Sequence, residues 1–379
     1  MNGPRLIFCC TVLSAISACG SDSGDRAMPD AGESAVLDDV HDRVITLDTH
    51  VDIPFEFATD EVSALDGELQ VNLRTMRNGG LDAGFFIVYV GQTERTPENY
   101  AQARTDAMTK FDAIHRMTDR LHSNLIGLAH TADDVGQIAA AGRLVAAIGI
   151  ENGYVIGNDL DLLDRYYALG ARYMTLVHNG HNDIADSAQP REEFGDDGPE
   201  HNGVSRFGAQ VIARMNDLGM MVDISHASKQ AALDAIALSR APVIGSHSSV
   251  HALTAHVRNM DDETLLALRD NGGVVQIVAF ASYLGDPESR DDADVGTLVD
   301  HIDYAVELIG VDHVGISSDF GGGGGIEGWN GAEETRNVTA ELLARGYSEG
   351  DIAKIWSGNL LRVWSEVEAV ATRMQAEGQ

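Results

Sequence analysis

The stretch "VITLDTHVD", residues 44–52, has the character of a buried β-strand that ends in a histidine and an aspartate two positions apart. Successive side chains of a strand point to opposite faces, so His50 and Asp52 lie on the same face and close together. An imidazole and a carboxylate paired at the end of a buried strand predict a functional site at that end.

Seven further apolar runs follow along the chain and alternate with segments whose apolar residues recur every three or four positions. This alternation indicates a parallel sheet built from βα units. Eight such units predict a (β/α)8 TIM-like barrel, in which functional groups lie at the carboxyl ends of the strands. The predicted strands are 44–50, 83–90, 144–151, 172–178, 219–226, 241–247, 272–280 and 312–319, and the clearest predicted helices are 97–121, 206–219, 228–239 and 295–310.

Size and charge limit the function classes. With 379 residues, 44% of them hydrophobic, the chain can bury a large core, as one barrel-like domain or as two smaller domains. The formal net charge of -33 argues against a nucleic-acid or anionic-lipid surface, because phosphate binding needs clustered lysine and arginine. Small substrates remain compatible with the composition, since the charge of one site can differ from the net charge.

The first residues are typical of an export signal. Arg5 is followed by an apolar run that is too short to span a bilayer. The segment "ISAC", residues 16–19, resembles a bacterial lipobox, which predicts a lipoprotein signal peptide over residues 1–18 and lipidation of Cys19. The alternative is an ordinary secretory signal cut near Ala18. We therefore expect an exported protein that is lipid-anchored in the bacterial cell envelope, on the periplasmic side.

All three cysteines, Cys9, Cys10 and Cys19, lie in this N-terminal stretch. The mature domain therefore has no disulfide and no thiolate metal site. Residues 19–36 are small, polar and acidic, which predicts a flexible tether. The barrel domain is expected to occupy residues 37–379.

Six of the eight predicted strands end in an imidazole or a carboxylate. Neutral imidazole and carboxylate oxygen are ligands of divalent ions such as zinc. The set is too large for one tetrahedral ion, so two ions bridged by a carboxylate form the simplest arrangement, with Glu151 as the candidate bridge. The residues are His50 with Asp52, Glu151, His178, His226, His247 and Asp319.

Other polar residues near the strand ends have more ordinary interpretations. A single histidine at a strand end is usually a hydrogen-bonded residue rather than a ligand, so the argument rests on the set. Asp48 shares a face with His50 and is either a ligand or an acceptor that orients an imidazole. Asp223 is interpreted as structural. Three histidines in loops just past strand ends are interpreted as solvated or supporting: His181, His251 and His256.

The glycine-rich stretch "FGGGGGIEGW", residues 320–329, lacks the lysine and hydroxyl residue of a P-loop. We interpret it as a flexible active-site loop.

Several ordered blocks between Val44 and Trp364 resemble the membrane dipeptidase (renal dipeptidase) family, peptidase family M19 of the amidohydrolase superfamily. The resemblance implies a (β/α)8 barrel of the metal-dependent hydrolase type that carries two Zn²⁺ per subunit. The blocks are "LDTHVDIP", "GIENG", "RYMTLVHNGHNDIADS", "GMMVDISHAS", "PVIGSHSSVHAL", "RNMDDETL", "VGISSDFGGGG" and "SGNLLRVW".

The resemblance also implies a role for each matching residue. His178 corresponds to the histidine that contacts the substrate and its tetrahedral intermediate, Arg258 to the arginine that binds the substrate carboxylate, and Asp319 to the acid that shuttles the proton. One zinc ion would be held by His50 and Asp52, and the other by His226 and His247, with Glu151 bridging both ions.

The sequence departs from the family pattern at three positions. Thr49 and Val51 stand where the family commonly shows glycine and asparagine, and Gly321 stands where a second aspartate is usual. These changes remove no ligand, but they alter the hydrogen bonds available around the ligands and the fit of the substrate.

The implied reaction is zinc-dependent hydrolysis of dipeptides by a hydroxide that bridges the metal ions. One alternative is a related amidohydrolase that acts on N-acyl-amino acids or β-lactams. Another is a catalytically inert, lipid-anchored binding protein, which the complete ligand set disfavours. Zinc rather than manganese or iron rests on the resemblance alone. Members of the family are often dimers, so a homodimer is an expected assembly.

Overall fold

Parallel strands form the centre of the molecule in a computed structural model that describes residues 31–285 and 293–377. The strands of the described part are β1 (Leu47–Asp52), β2 (Ala83–Tyr89), β3 (Ile126–Leu128), β4 (Leu144–Glu151), β5 (Ala171–Thr175), β6 (Met221–Asp223), β7 (Ile244–Ser248), β8 (Val274–Val278) and β9 (Val314–Ser317). Eight of them pair in the order β1-β2-β4-β5-β6-β7-β8-β9, and β3 pairs with β4 beside this path.

The first and last strands meet just beyond their ladders. Val51 and Phe320 form a parallel bridge, and the backbone N–H of Asp52 donates to the carbonyl of Phe320 at 2.8 Å. Together with the alternating helices, this contact makes a nearly closed (β/α)8 barrel, which confirms the predicted fold class.

Helices alternate with the strands on the outside of the barrel. They are α1 (Ala31–His41), α2 (Leu73–Gly79), α3 (Pro97–His115), α4 (Ala132–Ala140), α5 (Asp161–Ala168), α6 (Arg206–Leu218), α7 (Lys229–Leu238), α8 (Asp262–Asp270), α9 (Ala281–Leu284), α10 (Val295–Ile309), α11 (Thr335–Ala344), α12 (Glu349–Ala353) and α13 (Asn359–Glu377). The predicted helices correspond to α3, which continues as a wider turn over Arg116–Leu121, and to α6, α7 and α10. No helix of the described part has the length and apolar character of a membrane span.

Polar caps explain where three of these predicted helices begin. The side chains of Ser205, Ser228 and Asp294 accept from the backbone N–H three residues later, at the starts of α6, α7 and α10. Each cap satisfies a backbone donor that the first turn of a helix leaves free.

Several strand boundaries differ from the predictions, and three of the differences concern predicted site residues. β5 ends at Thr175 rather than at His178, β6 at Asp223 rather than at His226, and β9 at Ser317 rather than at Asp319. Pairing stops early because the chain turns after these strands. His178, His226 and Asp319 therefore lie in the loops, two or three residues after the strands end.

β3 was not predicted, and it has only three residues, too few to show an alternating pattern. The N-terminal boundary also differs in part. Residues 31–36 were assigned to the tether but belong to α1, which is anchored by the buried side chain of Val40. The rest of the predicted tether, the signal peptide and Cys19 lie outside the described residues.

The barrel interior is filled below the strand ends. Phe85 packs against both Tyr173 and Trp364, with ring centroids 5.2 and 5.5 Å apart. Gly149 makes room for this layer, since a Cβ there would lie 2.3 Å from the Tyr173 ring. Tyr173 can therefore reach upward to the carboxyl ends of the strands.

Candidate metal centre

Glu151, the last residue of β4, lies at the centre of the predicted site. Its Oε1 atom is 3.1 Å from His226 Nε2 and 3.4 Å from His247 Nε2. Its Oε2 atom is 3.6 Å from His50 Nε2, on the other side. The two carboxylate oxygens therefore face different histidines, which is the geometry that a bridging carboxylate requires.

His50 is fixed by a hydrogen bond on the far side of its ring. Its Nδ1 lies 3.0 Å from the hydroxyl of Tyr173, and that hydroxyl donates to the carbonyl of Thr49 at 3.0 Å. Because the hydroxyl proton is used in this way, Nδ1 carries the proton of the imidazole and Nε2 carries a lone pair. The buried Nε2 has no hydrogen-bond partner.

The other two histidines are held in the same way. His226 Nδ1 lies 3.1 Å from Asn179 Oδ1, and His247 Nδ1 lies 2.8 Å from Ser246 Oγ, which donates to Asp223 at 2.6 Å. Both Nε2 atoms then carry lone pairs, yet they are only 2.9 Å apart. Two facing lone pairs repel, and a shared cation removes the repulsion. This donor set fits a metal ion beside Glu151 Oε1.

A second group of donors lies around His50. Asp52 Oδ2 and Asp319 Oδ1 are 3.5 and 3.8 Å from His50 Nε2, and the buried Asp52 Oδ1 has no hydrogen-bond partner. On the side of His226 and His247, His178 Nε2 lies 3.6 Å from Glu151 Oε1. The donors form three overlapping groups, in which Glu151 and His50 are each shared by two: His50 with Glu151 and His247, Glu151 with His178 and His226, and His50 with Asp52 and Asp319. Their chemistry fits more than one divalent ion.

The charges of these groups are strongly perturbed by burial and by one another. Burial alone would raise the pKa of Glu151, but electrostatic interaction with His178 and His50 and hydrogen bonds with His226 and His247 hold it well below its ordinary value. Burial lowers the pKa values of His226 and His247 well below normal, and nearby Arg258 adds to the shift. A charged Glu151 beside the neutral imidazoles of His226 and His247 is the state in which these groups bind a metal. At His50 the carboxylates of Glu151 and Asp52 outweigh burial and raise the pKa well above its ordinary value.

The pKa of Asp319 is shifted in the opposite direction to that of Glu151. Burial raises the pKa of its carboxyl well above the ordinary value, and the carboxylates of Asp52 and Glu151 add to the rise. A carboxyl group with a raised pKa can accept a proton and hold it, as general acid–base catalysis requires.

Two of the site residues have left-handed backbones. His226 has φ of 64° and Asp319 has φ of 58°, in a region that residues other than glycine seldom adopt. These turns direct both side chains back over the end of the barrel. Such local strain is typical of functional sites.

Asp48 and Asp223 support the site from below. Asp48 accepts from the backbone N–H groups of Ser318 and His50, at 2.9 and 3.2 Å, and from the Ser318 hydroxyl. Burial raises the pKa of Asp48 to about 6. Asp223 accepts from the hydroxyls of Ser246 and Thr175. Asp48 is therefore a buried acceptor that joins β1 to the residue after β9, and its bond with His50 is to the backbone N–H rather than to the imidazole of the predicted role.

Arg258 is buried beside the site but does not line the main pocket. Its Nη2 donates to the carbonyl of His247 at 3.2 Å, and its guanidinium lies 5.5 Å from the centre of the Tyr283 ring. Its Nε is buried without a hydrogen-bond partner. Of the three loop histidines, His181 is buried and accepts from the N–H of Ser187, whereas His251 is exposed and His256 is partly exposed.

An open pocket of about 480 Å³ lies directly above the donor clusters. Glu151, His178, His226, His247, Asp52 and Asp319 line its floor. Its walls include residues that the sequence analysis did not identify, among them Tyr89, Lys110, Phe280 and Tyr283. Asn179 and Ser246 were also missed, although each adjoins a predicted histidine in the sequence.

The glycine-rich loop covers two of the carboxylates. A Cβ at Gly322 would lie 2.5 Å from Asp52 Oδ2 and 2.6 Å from Asp319 Oδ1. A Cβ at Gly321, where φ is 81°, would lie 2.6 Å from the carbonyl of Asp52. Any side chain at position 322 would displace acidic groups of the site, which explains the need for glycine there.

Comparisons with known proteins agree with this geometry. A family model for the membrane dipeptidases, peptidase family M19, matches residues 35–378. Dipeptidase aclJ of Aspergillus oryzae is 36% identical over 306 residues, which cover 80% of this chain and 71% of that protein. Dipeptidase verJ of Clonostachys rogersoniana is 32% identical over 373 residues, which cover 93% of each chain.

Solved structures give the same assignment. The crystal structure of the probable dipeptidase PvdM from Pseudomonas aeruginosa has a TM-score of 0.86 and 33% sequence identity. The match covers 90% of this chain and 100% of the other. This chain therefore belongs to the membrane dipeptidase family, peptidase family M19, and is a hydrolase of that family.

Proposed function

We propose that this protein hydrolyses the peptide bond of dipeptides with the help of two zinc ions. His50 and Asp52 would hold one ion, and His226 and His247 the other, with Glu151 shared between them. The observation that carries the proposal is the position of Glu151, whose two oxygens face His50 on one side and the paired Nε2 atoms of His226 and His247 on the other. When bound, such ions supply Lewis acidity and a hydroxide nucleophile near neutral pH.

In this proposal Asp319 is the general base and then the general acid. Its carboxyl lies at the floor of the pocket beside His50. The raised pKa suits a group that accepts the proton of the attacking water and passes it to the leaving amine.

His178 lies on the opposite side of Glu151 and has the orientation to stabilise charge that develops on the substrate oxygen. Its ring packs against Tyr89 and His226, with centroid distances of 4.8 and 4.1 Å, so its position is fixed before the substrate binds. Burial lowers the pKa of His178, which keeps the imidazole neutral beside the metal ligands.

Arg258 supplies positive charge for the C-terminal carboxylate of the dipeptide. The unpartnered Nε of its guanidinium and its contact with the pocket-lining ring of Tyr283 support this role. A guanidinium can hold a carboxylate through two parallel hydrogen bonds, which favours a substrate whose carboxylate is near the scissile bond.

The test is an assay of purified protein on a panel of dipeptides, N-acyl-amino acids and β-lactams, with and without a chelator. We expect chelator-sensitive hydrolysis that is fastest on dipeptides. Faster turnover of N-acyl-amino acids or β-lactams would favour the related amidohydrolase activity. Absence of metal-dependent hydrolysis from the whole panel would favour an inert binding protein and overturn the proposal.

We also propose that Cys19 carries a lipid that anchors the protein in the bacterial cell envelope, facing the periplasm. The support is the lipobox-like segment of residues 16–19 after a short apolar run. Wild-type protein should fractionate with membranes, and a Cys19→Ala variant should be recovered in the soluble fraction. Equal recovery of both proteins in the soluble fraction would contradict this proposal.

A further inference from the structure

Lys110 is a buried cation without an anionic partner at the wall of the main pocket. It lies on α3, its side chain is only 4% exposed, and it lines the pocket. Within the described part of the chain it forms neither an ion pair nor a hydrogen bond to another side chain. The only other lysines, Lys229 and Lys354, are about half exposed and are paired with carboxylates.

Two aromatic rings flank the ammonium group. Lys110 Nζ lies 5.1 Å from the centre of the Phe55 ring and 5.5 Å from that of Tyr89. Ring faces attract a cation but form no conventional hydrogen bonds with its three N–H groups, and Lys110 lines the open pocket. Burial lowers the pKa of Lys110, and the carboxylates of Asp52, Glu151 and Asp106 act in the opposite direction. An anion that enters the pocket would satisfy these donors.

Lys110 and Arg258 approach the site from opposite sides of the barrel. Lys110 lies on the helix that follows β2, and Arg258 lies in the loop that follows β7. In the order of the eight barrel strands, β2 is second and β7 is sixth, so they face each other across the barrel. An anion at Lys110 is therefore a different group from the C-terminal carboxylate at Arg258.

A dipeptide can carry a second anion only on its side chains. If Arg258 holds the carboxyl-terminal end, the amino-terminal residue extends toward β2 and Lys110. We infer that Lys110, flanked by Phe55 and Tyr89, is a specificity-determining residue that binds an acidic side chain on the amino-terminal residue of the substrate. This inference rests on the proposed dipeptidase function.

The experiment compares substrates that differ by one charge. The value of kcat/KM is measured for Glu-Ala against Gln-Ala, and for Ala-Glu against Ala-Gln, with the metal-loaded wild-type enzyme. We expect Glu-Ala to exceed Gln-Ala by about tenfold or more, because a glutamate side chain would pair with the ammonium group of Lys110, which has no ion-pair partner in the described residues, and a glutamine side chain would not. No preference for Glu-Ala, or a preference confined to Ala-Glu, would overturn the inference.

Variants assign the preference to Lys110. Lys110→Met should reduce the Glu-Ala to Gln-Ala ratio to within about threefold of unity, whereas Lys110→Arg, which keeps the charge, should retain part of it. Lys354→Met is the matched control and should leave the ratio unchanged, since Lys354 pairs with Asp312 on the surface. A ratio that survives in Lys110→Met would overturn the inference.

The outcomes separate this inference from the proposed function. If the wild-type enzyme hydrolyses Gln-Ala and Ala-Gln in a chelator-sensitive way without preferring Glu-Ala, only the role of Lys110 fails. If no dipeptide is hydrolysed, the proposed function itself fails. Lys110→Glu gives an independent check, because it should shift the preference toward Lys-Ala.

Discussion

Each of the three central histidines is oriented through Nδ1 by an acceptor on another side chain. Tyr173 holds His50 with a hydroxyl, Asn179 holds His226 with an amide oxygen, and Ser246 holds His247 with a hydroxyl. In every case Nε2 is left with its lone pair directed at Glu151. The proposed ligands are therefore oriented by neighbours that would not themselves contact an ion.

Tyr173→Phe tests this arrangement at His50. The change removes the hydroxyl and keeps the ring, so the barrel interior stays filled. We expect a loss of roughly 10- to 100-fold in metal affinity or kcat/KM, since the His50 ring loses the bond that fixes its orientation. Competition of the purified protein with a fluorescent chelator measures the affinity.

The matched control is Tyr166→Phe. Tyr166 is also fully buried, and its hydroxyl also donates to a backbone carbonyl, that of Val155, but away from the site. Both variants should lose about 1 kcal/mol of stability, and only Tyr173→Phe should lose metal affinity. Equal metal affinity in the two variants would contradict the role of Tyr173.

At this scale the sequence predicts the candidate ligands better than the residues that orient them. The candidate ligands stand out because each is a polar residue at the end of an apolar run: His50, Glu151, His226 and His247. Tyr173 lies within a β-rich run and looks like any other buried aromatic residue. Its contact with His50 depends on how two distant strands pack across Gly149, which no local pattern reports.

Among the elements, the glycine-rich loop after β9 makes the closest approach to the site. Gly322→Ala would push a methyl group against both Asp52 and Asp319. A displacement of about 1 Å at such groups can reduce the rate by about 100-fold, so we expect a loss of that order in kcat/KM. Steady-state assays with the best dipeptide of the panel measure the effect.

Gly136→Ala is the control for that loop. Gly136 lies on α4, and a Cβ there would meet no atom within 4 Å. We expect unchanged kcat/KM and a stability gain of up to about 1 kcal/mol, because alanine favours the helix. If Gly322→Ala were as active as Gly136→Ala, the loop would not constrain the carboxylates.

Helix α10 contributes a pH-dependent contact. His301 accepts from the N–H of Val250 at 3.1 Å and lies 3.1 Å from the carbonyl of Leu284, so the helix holds the segment after β7. Burial lowers its pKa to about 4. The unfolded chain, with an ordinary histidine pKa, binds the proton first.

The sign of the effect follows from that order of protonation. The stabilising contribution of neutral His301 is complete above its unfolded pKa of about 6.5 and is lost as the pH falls toward 4. Between pH 7 and pH 5 the wild type should lose about 2 kcal/mol more stability than His301→Gln. Urea unfolding of both proteins at each pH measures the difference, and parallel losses would contradict it.

Over the whole molecule, the topology was predictable because eight apolar runs alternate with helical segments. The ends of the strands were less predictable. Whether His226 or Asp319 still pairs depends on a left-handed backbone turn, which the residue type does not predict. β3 was missed because three residues are too few to show the alternating hydrophobic pattern of a strand. The helical residues 31–36 were missed because an acidic, small-residue composition is common to tethers and helices.

The molecule also combines a strongly acidic chain with a locally cationic site. The net charge is -33, yet Lys110 lines the pocket, Arg258 lies on the opposite side of the barrel behind Tyr283, and two divalent ions would add four positive charges there. The site therefore suits an anionic small substrate, although the surface repels polyanions.

The central claim is that Glu151 is shared by two metal ions, and metal content tests it most directly. Elemental analysis should give two ions per chain for the purified wild-type protein and for the exposed control Glu307→Gln. It should give at most one ion per chain for Glu151→Gln. A wild type that binds one ion or none, or a Glu151→Gln variant that keeps both ions, would contradict the account.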